Sequence, residues 1–473
     1  MQWANIRSWG RWALLVAAGL LCAATTVLHA QVCAVPGRQG VVTTASFEPN
    51  SYFAGTGTPA AGASSITLAT GTNANRGATT TLLAGDLVLI IQMQDSTGAL
   101  AGNYEYAVVT VGGGVGATIQ LGSPLVNSYA QSVSAGTIRT YQVVRVPQYS
   151  AATVSGAIDV LPWYVEPTNG FGTGGVYAVD VAGAFTMNGV TINAMGKGFR
   201  GGRGINSVQN RAGGTPFDAS YACTPATLNG ALKGEGSEGI PQQVFGYNVG
   251  GTTGAGLTYD AAGQLFNAGQ GYNGGACGQA ARGNAGGGGN DGIPAAQTNG
   301  YNSGGGGGGN AGAGGIGGNS WNGGNNTTVA DNNPTSAANS GLGGFDAGGR
   351  GGNALSPDVT SRIYMGGGGG AGGSNNGEAD ALTAFPPTNV ATANGATGSI
   401  TSSGAPGGGI VLIRAGTLVV SAASTINAYG IRSYNKNTTV STDAAGGGGW
   451  GPIVTSNLLV QGVEPRQTIG TVN

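Results

Sequence analysis

Charge is what this sequence has least of. Asp, Glu, Lys and Arg make up 8% of the chain, against about 25% in ordinary globular domains. With a formal net charge of -1, there is no basic field to attract nucleic acid or anionic lipid. Histidine is nearly missing as well: the single one, His29, falls inside a leader-like segment. Without it the chain has no imidazole for a Ser-His or Cys-His nucleophile, for the usual zinc sites, or for general base work near neutrality. The 19 Asp and Glu residues are scattered along the chain, which argues against the clustered carboxylates that polysaccharide hydrolysis needs. No helix-period pattern of useful length is present, and nothing after the leader is apolar for the ~20 residues that a membrane span requires.

Met1 to Ala30 reads as a secretory signal. Arg7 and Arg11 give a positive start, Trp12 to Leu21 an apolar stretch, and Leu28-His29-Ala30 a small-residue cleavage site. The remaining chain is therefore expected to be secreted or displayed at the cell surface, where disulfides persist. Cys22 leaves with the signal, so Cys33, Cys223 and Cys277 remain. Cys223 with Cys277 is the favoured pair, because both lie in the glycine-rich region, where a crosslink would restrain an otherwise loose loop. Cys33 is then the odd thiol.

Glycine is what the chain has in excess: 97 of 473 residues, where about 7% is usual. It is densest from Gly283 to Gly370 and includes the unbroken run Gly304 to Gly309. Without Cβ atoms, neighbouring backbones can approach more closely than any side chain would allow. The packed arrangement open to such a run is a polyglycine bundle of extended threefold strands. At a rise of ~3.1 Å per residue the run would span roughly 19 Å. Ordering each residue costs about 1 to 2 kcal/mol, while each lateral hydrogen bond contributes about 0.5 to 1.5 kcal/mol net. Such a bundle only breaks even alone and needs a rigid frame at its ends.

The flanks offer one. From Gln31 to about Val165 the chain is β-rich. Gly85 to Met93 is apolar enough for a strand buried on both faces, and Tyr104 to Val111 and Thr137 to Val146 follow with β-branched and aromatic residues. Gly112-Gly113-Gly114 and Gly122-Ser123-Pro124 supply turns. Further on, Gly175 to Asp180 and Thr191 to Gly196 are matched by Gly409 to Arg414 and Thr425 to Gly430. The offset is the same in both halves, so an internal repeat flanks the glycine tract. Asp180 and Arg414 fall at equivalent positions, where stacked repeats could pair them.

The series Gly85-Asp86, Ile91-Gln92-Met93, Tyr104-Glu105, Tyr141 to Pro147 and Trp163 ahead of Thr173-Gly174-Gly175 resembles the head region of large bacterial surface proteins of adhesin-like or gliding-motility type. The alternation of pure glycine runs with polar segments is similar to that of phage tail adhesins, whose polyglycine bundles present variable loops. The resemblance implies an adhesive role and transfers no binding residue.

Polar segments Asn319 to Leu342, Asn353 to Met365 and Ser374 to Gly404 interrupt the glycine and read as loops at the bundle ends. They carry Trp321, Tyr364 and Phe385, the candidate recognition aromatics; aromatics with amides suit sugars or a receptor surface. Gly286 to Pro294 fits one calcium-binding nonapeptide with Asp291 as ligand, but a β-roll needs tandem copies. Asn325, Asn326 and Asn437 begin glycosylation sequons.

The expected fold is all-β: an N-terminal β sandwich or barrel, then β-solenoid-like rungs framing a polyglycine II bundle with polar loops. The boundaries are 1–30 for the signal peptide, 31–165 for the N-terminal β domain, 166–200 for the first rung, 201–408 for bundle and loops, and 409–473 for the second rung and tail. The expected function is a non-enzymatic secreted or cell-surface module, structural or adhesive, with a glycan or cell-surface receptor as partner and with no cofactor. The competing reading is a polysaccharide-active enzyme on a β-solenoid.

Overall fold

The computed structural model describes residues 35–44, 50–71, 74–77, 81–134, 137–166, 169–202, 231–241, 244–247, 257–259, 277–289, 303–318, 348–355, 361–373, 403–431, 453–456 and 460–461. Among them the protein is all-β, without helices, and no helix is long and apolar enough to cross a membrane.

Six antiparallel strands close into a barrel. In order around it run Thr137–Val146, Leu87–Asp95, Tyr104–Val111, Thr118–Leu121, Ser65–Leu68 and Ser51–Thr56, and the last pairs back onto Thr137–Val146. Closure leaves no edge within this ring. Alternation along the strands sorts the side chains. Phe53, Val88, Ile90, Val109, Ile119, Tyr141 and Val143 fill the interior. Tyr52, Leu87, Leu89, Ile91, Val144 and Val146 point outward yet are equally buried. The apolar run after Gly85 is thus a strand buried on both faces, as its composition predicts.

What covers the barrel's outer face is a parallel sheet. It runs from Val41–Thr44 through Ala151–Val154, Val176–Met187 and Ile410–Val420 to Ile453–Ser456, with Val460–Gln461 continuing the last layer. Val176, Ala178, Ile410 and Leu412 pack against the barrel. Tyr177, Val179, Val181, Val411 and Ile413 face the other way, onto a short parallel sheet of Ile158–Asp159, Thr191–Asn193 and Thr425–Asn427. Parallel strands covered on both faces read as continuous apolar runs, which is how Val176 to Val179 and Ile410 to Ile413 read.

The internal repeat pairs with itself. Val176 lies opposite Ile410, Asp180 opposite Arg414, and Ile192 opposite Ile426. Arg414 Nε stands 3.5 Å from Asp180 Oδ1, and the guanidinium lies 4.8 Å from the Tyr106 ring centroid. Polar side chains join barrel and sheet. Asn50 Nδ2 donates to the carbonyls of Arg145 (2.9 Å) and Ala178 (2.7 Å), and the Ala178 amide donates to Asn50 Oδ1. The Tyr52 hydroxyl donates to the Val176 carbonyl at 2.7 Å.

Candidate functional site

Between the two halves of the repeat lie the glycine segments, and their hydrogen bonds run on a period of three. Along 363–373, the amides of Gly366 and Gly369 donate to the carbonyls of Gly408 and Ala405. Those of Gly367, Gly370 and Gly373 donate to Gly309, Gly306 and Ser303, and those of Gly368 and Ala371 to Glu235 and Leu232. Its carbonyls at Gly366 and Gly369 accept from Phe199 and Gly202, and those at Gly368 and Ala371 from Gly286 and Gly289. One segment therefore bonds to five neighbours, three antiparallel and two parallel. A β-strand, with its period of two, serves only two.

Side chains cannot enter this packing. A Cβ on Gly368 would sit 1.8 Å from the Arg200 carbonyl oxygen, and one on Gly370 1.9 Å from that of Gly287. The close approach of backbone to backbone is what demands glycine here.

The register also sorts the two ends of these segments. Gly202, Ala231, Gly289, Ser303, Gly373 and Ser403 lie toward one end. From that end the chain enters and leaves 203–230, 290–302, 319–347 and 374–402, all outside the described residues. At the other end lie the tight connections Gly236–Gly239 and Arg282–Ala285, with Gly283 at φ 50°. This end abuts the barrel. The Asp95 amide donates to the Ser237 carbonyl and the Ile363 amide to the Gly102 carbonyl, while Arg362 Nη2 donates to the Ala99 carbonyl at 2.6 Å.

Buried charge fixes the join. Glu235, at the barrel end of 231–235, is fully buried with Arg200. Arg200 Nε donates to Glu235 Oε2 at 2.7 Å and the Arg200 backbone amide to the same oxygen at 3.0 Å. Trp163 Nε1 donates to Glu235 Oε1 at 2.9 Å. From the barrel strand, Gln94 Nε2 reaches Glu235 Oε1 (3.2 Å) and the carbonyls of Gly236 (3.0 Å) and Gly239 (3.2 Å). The Arg200 guanidinium lies 5.5 Å from the Tyr164 ring centroid. A carboxylate buried with several donors keeps its charge satisfied, whereas removing one partner would strand a charge in the interior. Close by in sequence, Lys233 is fully buried. Burial, and secondarily the Arg282 charge, push its ammonium down to about 7. Asp95 is held below the usual carboxylate range: burial opposes this, but the amides of Thr97 and Leu100, the Thr97 hydroxyl and Arg139 outweigh it.

The candidate recognition aromatics do not form one group. Tyr364 is half-buried at the barrel end, where a Cβ on Gly102 would meet its ring at 2.6 Å. Trp321 and Phe385 lie outside the described residues, in segments that leave from the opposite end. Of Asn353 to Met365, expected as a polar loop, the described residues 361–365 dock against the barrel: Ile363 and Met365 are buried in the core that holds Leu87 and Leu89. There the apolar residues prevail over the polar composition. Cys277 is disulfide-bonded; Cys223, Asp291 and the three sequons lie outside the described residues. Among the described residues no group of three or more His, Cys, Asp or Glu stands close enough to hold a metal ion. Sequence reasoning passed over the Arg200–Glu235 cluster. The available signal was a few isolated charges inside a tract that is otherwise almost free of them.

No family model matches the chain, and no curated protein matches it. Among solved structures it is similar to the tailspike protein gp49 from Pseudomonas phage LKA1, at 14% identity, over 30% of this chain and 28% of that one, with a TM-score of 0.14. A likeness at that score carries no argument here.

Proposed function

We propose that the glycine segments form a polyglycine II bundle clamped between two β-solenoid-like rungs, and that the chain is a non-enzymatic secreted or cell-surface module, structural or adhesive. The bundle serves as a stiff, chemically inert support. The end remote from the barrel, from which 319–347 and 374–402 depart, is the presenting surface. Trp321 and Phe385 belong to it, and a glycan or a cell-surface receptor is the partner.

The observation that carries this reading is the rotation of hydrogen bonds along 363–373 among five neighbours, which matches the threefold geometry of an extended polyglycine strand. The departure of 203–230, 290–302, 319–347 and 374–402 from the one end supports the placement of the binding surface, since recognition residues concentrate on loops held by a rigid scaffold. Among the described residues the buried acidic groups have structural partners: Glu235 holds Arg200, Asp95 holds Arg139, and Asp86 holds Arg38 and Arg145. This supports the non-enzymatic reading over polysaccharide cleavage.

The test is binding of the chain from residue 31 onward to a glycan panel and to intact cells, before and after exchange of 319–347 for a Gly-Ser linker. Binding lost with an unchanged unfolding midpoint is the expected result. Undiminished binding by the exchanged chain would overturn the assignment of the presenting surface.

A further inference from the structure

The barrel shields only the first half of the long parallel strands. Val176, Ala178, Ile410 and Leu412 pack against it, and further along the strands partly exposed residues alternate with buried ones. Ala152, Phe185 and Leu418 turn inward to the short sheet, so their neighbours on either side turn outward. Register sorts these outward residues into two rows. In one, Thr43, Thr153, Thr186 and Val419 lie side by side across four strands. In the other, Val41 lies beside Ala151 and Ala184 beside Thr417. Val41 is 73% exposed, Thr43 is exposed, and the rest are partly exposed. Among the described residues the four threonine hydroxyls bond to no other group of the protein, which leaves them to water.

What this face lacks narrows what it can hold. It has no charge for a phosphate or a polyanion, and no aromatic ring on which a sugar could stack. It also has none of the Trp, Tyr and Arg that usually anchor a protein partner. What it has is hydroxyls beside methyl groups, repeated at about 4.7–4.9 Å across the sheet and at ~6.6 Å along it. Oxygen atoms along one axis of hexagonal ice repeat at nearly the first of these intervals. The rows are also held firmly from behind: Ala152, Phe185 and Met187 are fully buried against the short sheet. Little ordering therefore remains to be done when a partner binds.

We propose that this face binds ice. Water bonded to the hydroxyls of Thr43, Thr153 and Thr186, and confined between the methyl groups of the two rows, takes up the interval of the crystal surface. The face then freezes to the crystal and blocks its growth where the protein sits. The inference rests on the register of the parallel strands and does not depend on the binding function proposed above. Exchange of 319–347 leaves these rows intact, so the two readings fail separately.

The test follows the full chain as its solution freezes. The protein is expected to enter slowly grown ice and to arrest the coarsening of ice grains in frozen sucrose. Thr153→Tyr puts a ring in the middle of the threonine row and should lower the ice-to-liquid ratio at least about tenfold. Thr417→Tyr, in the second row, should do the same. Thr118→Tyr, at an exposed threonine of the barrel, should leave the ratio unchanged, and all three variants should keep the parent's unfolding midpoint. Exclusion of the parent chain from ice with normal grain coarsening, or equal entry of both row variants, would overturn the proposal. So would self-association of the parent chain, or its retention on cellulose or chitin, that Thr153→Tyr abolishes, because a second copy or a glycan would then be the occupant.

Discussion

The barrel and the glycine segments solve the problem of a close-packed interior in opposite ways. Inside the barrel, Val88, Ile90, Phe53 and Tyr141 bring large apolar side chains to a common centre, each contributing about 1.5 to 3 kcal/mol by leaving water. In the glycine segments backbone meets backbone, and hydrogen bonds to several neighbours take the place of side-chain contact. The first interior is damaged by taking atoms away, the second by adding them. The glycine segments gain little from burial per residue, so their order depends on the rigid body to which their barrel-side ends are fastened.

The largest expected effect lies at that fastening. Glu235→Ala leaves Arg200 buried without its carboxylate and should cost about 3 to 5 kcal/mol, read as a shift of the denaturant midpoint; a loss under about 1 kcal/mol would mean that the joint does not hold the two regions together. Ile90→Ala removes atoms from the barrel interior and should cost about 2 to 5 kcal/mol. Gly368→Ala adds one carbon that would lie 1.8 Å from the Arg200 carbonyl oxygen, and its expected cost is about 3 kcal/mol, at the upper end of overpacking effects. If calorimetry found Gly368→Ala neutral, the contrast between the two interiors would fail.

A subtler comparison uses pH. Folded Lys233 releases its proton near pH 7, well below its ordinary value of 10.5. Between these values the unfolded chain holds a proton that the folded chain has lost, so this residue makes stability rise with pH across the window. Lys233→Met should flatten that rise in unfolding curves taken at several pH values, and identical slopes for the two proteins would show that the amine does not titrate on folding. The smallest effect has the reverse sign. Gly315 has open space where a Cβ would go, so Gly315→Ala should stabilise by about 0.4 to 1 kcal/mol by restricting the unfolded chain. A loss of stability there would mean that glycine is required even at the surface of these segments.

Much of the β-structure was legible. Leu87–Asp95, Tyr104–Val111 and Thr137–Val146 announce themselves by apolar and β-branched runs, and the matched stretches at Val176 and Ile410 by their constant offset. The sequence left sandwich and barrel open, because closure depends on Ser51–Thr56 meeting Thr137–Val146 across most of the domain. The half-buried setting of Tyr364 was not legible either: its ring rests on the bare backbone of Gly102, which is distant in sequence. The Arg200–Glu235 pair escaped notice because its partners Trp163 and Gln94 come from distant segments, and nothing local joins them.

The sequence by itself determined the kind of matter this protein is made of: strands from β-branched runs, a repeat from its constant spacing, and a tract in which nothing but backbone could pack. Those are local or pairwise properties, carried by residue type and interval. The tertiary structure decided which strand closed the ring, which end of the glycine segments met the barrel, and which few charges were buried there. These outcomes depend on several distant segments arriving together, and no interval along the chain records that.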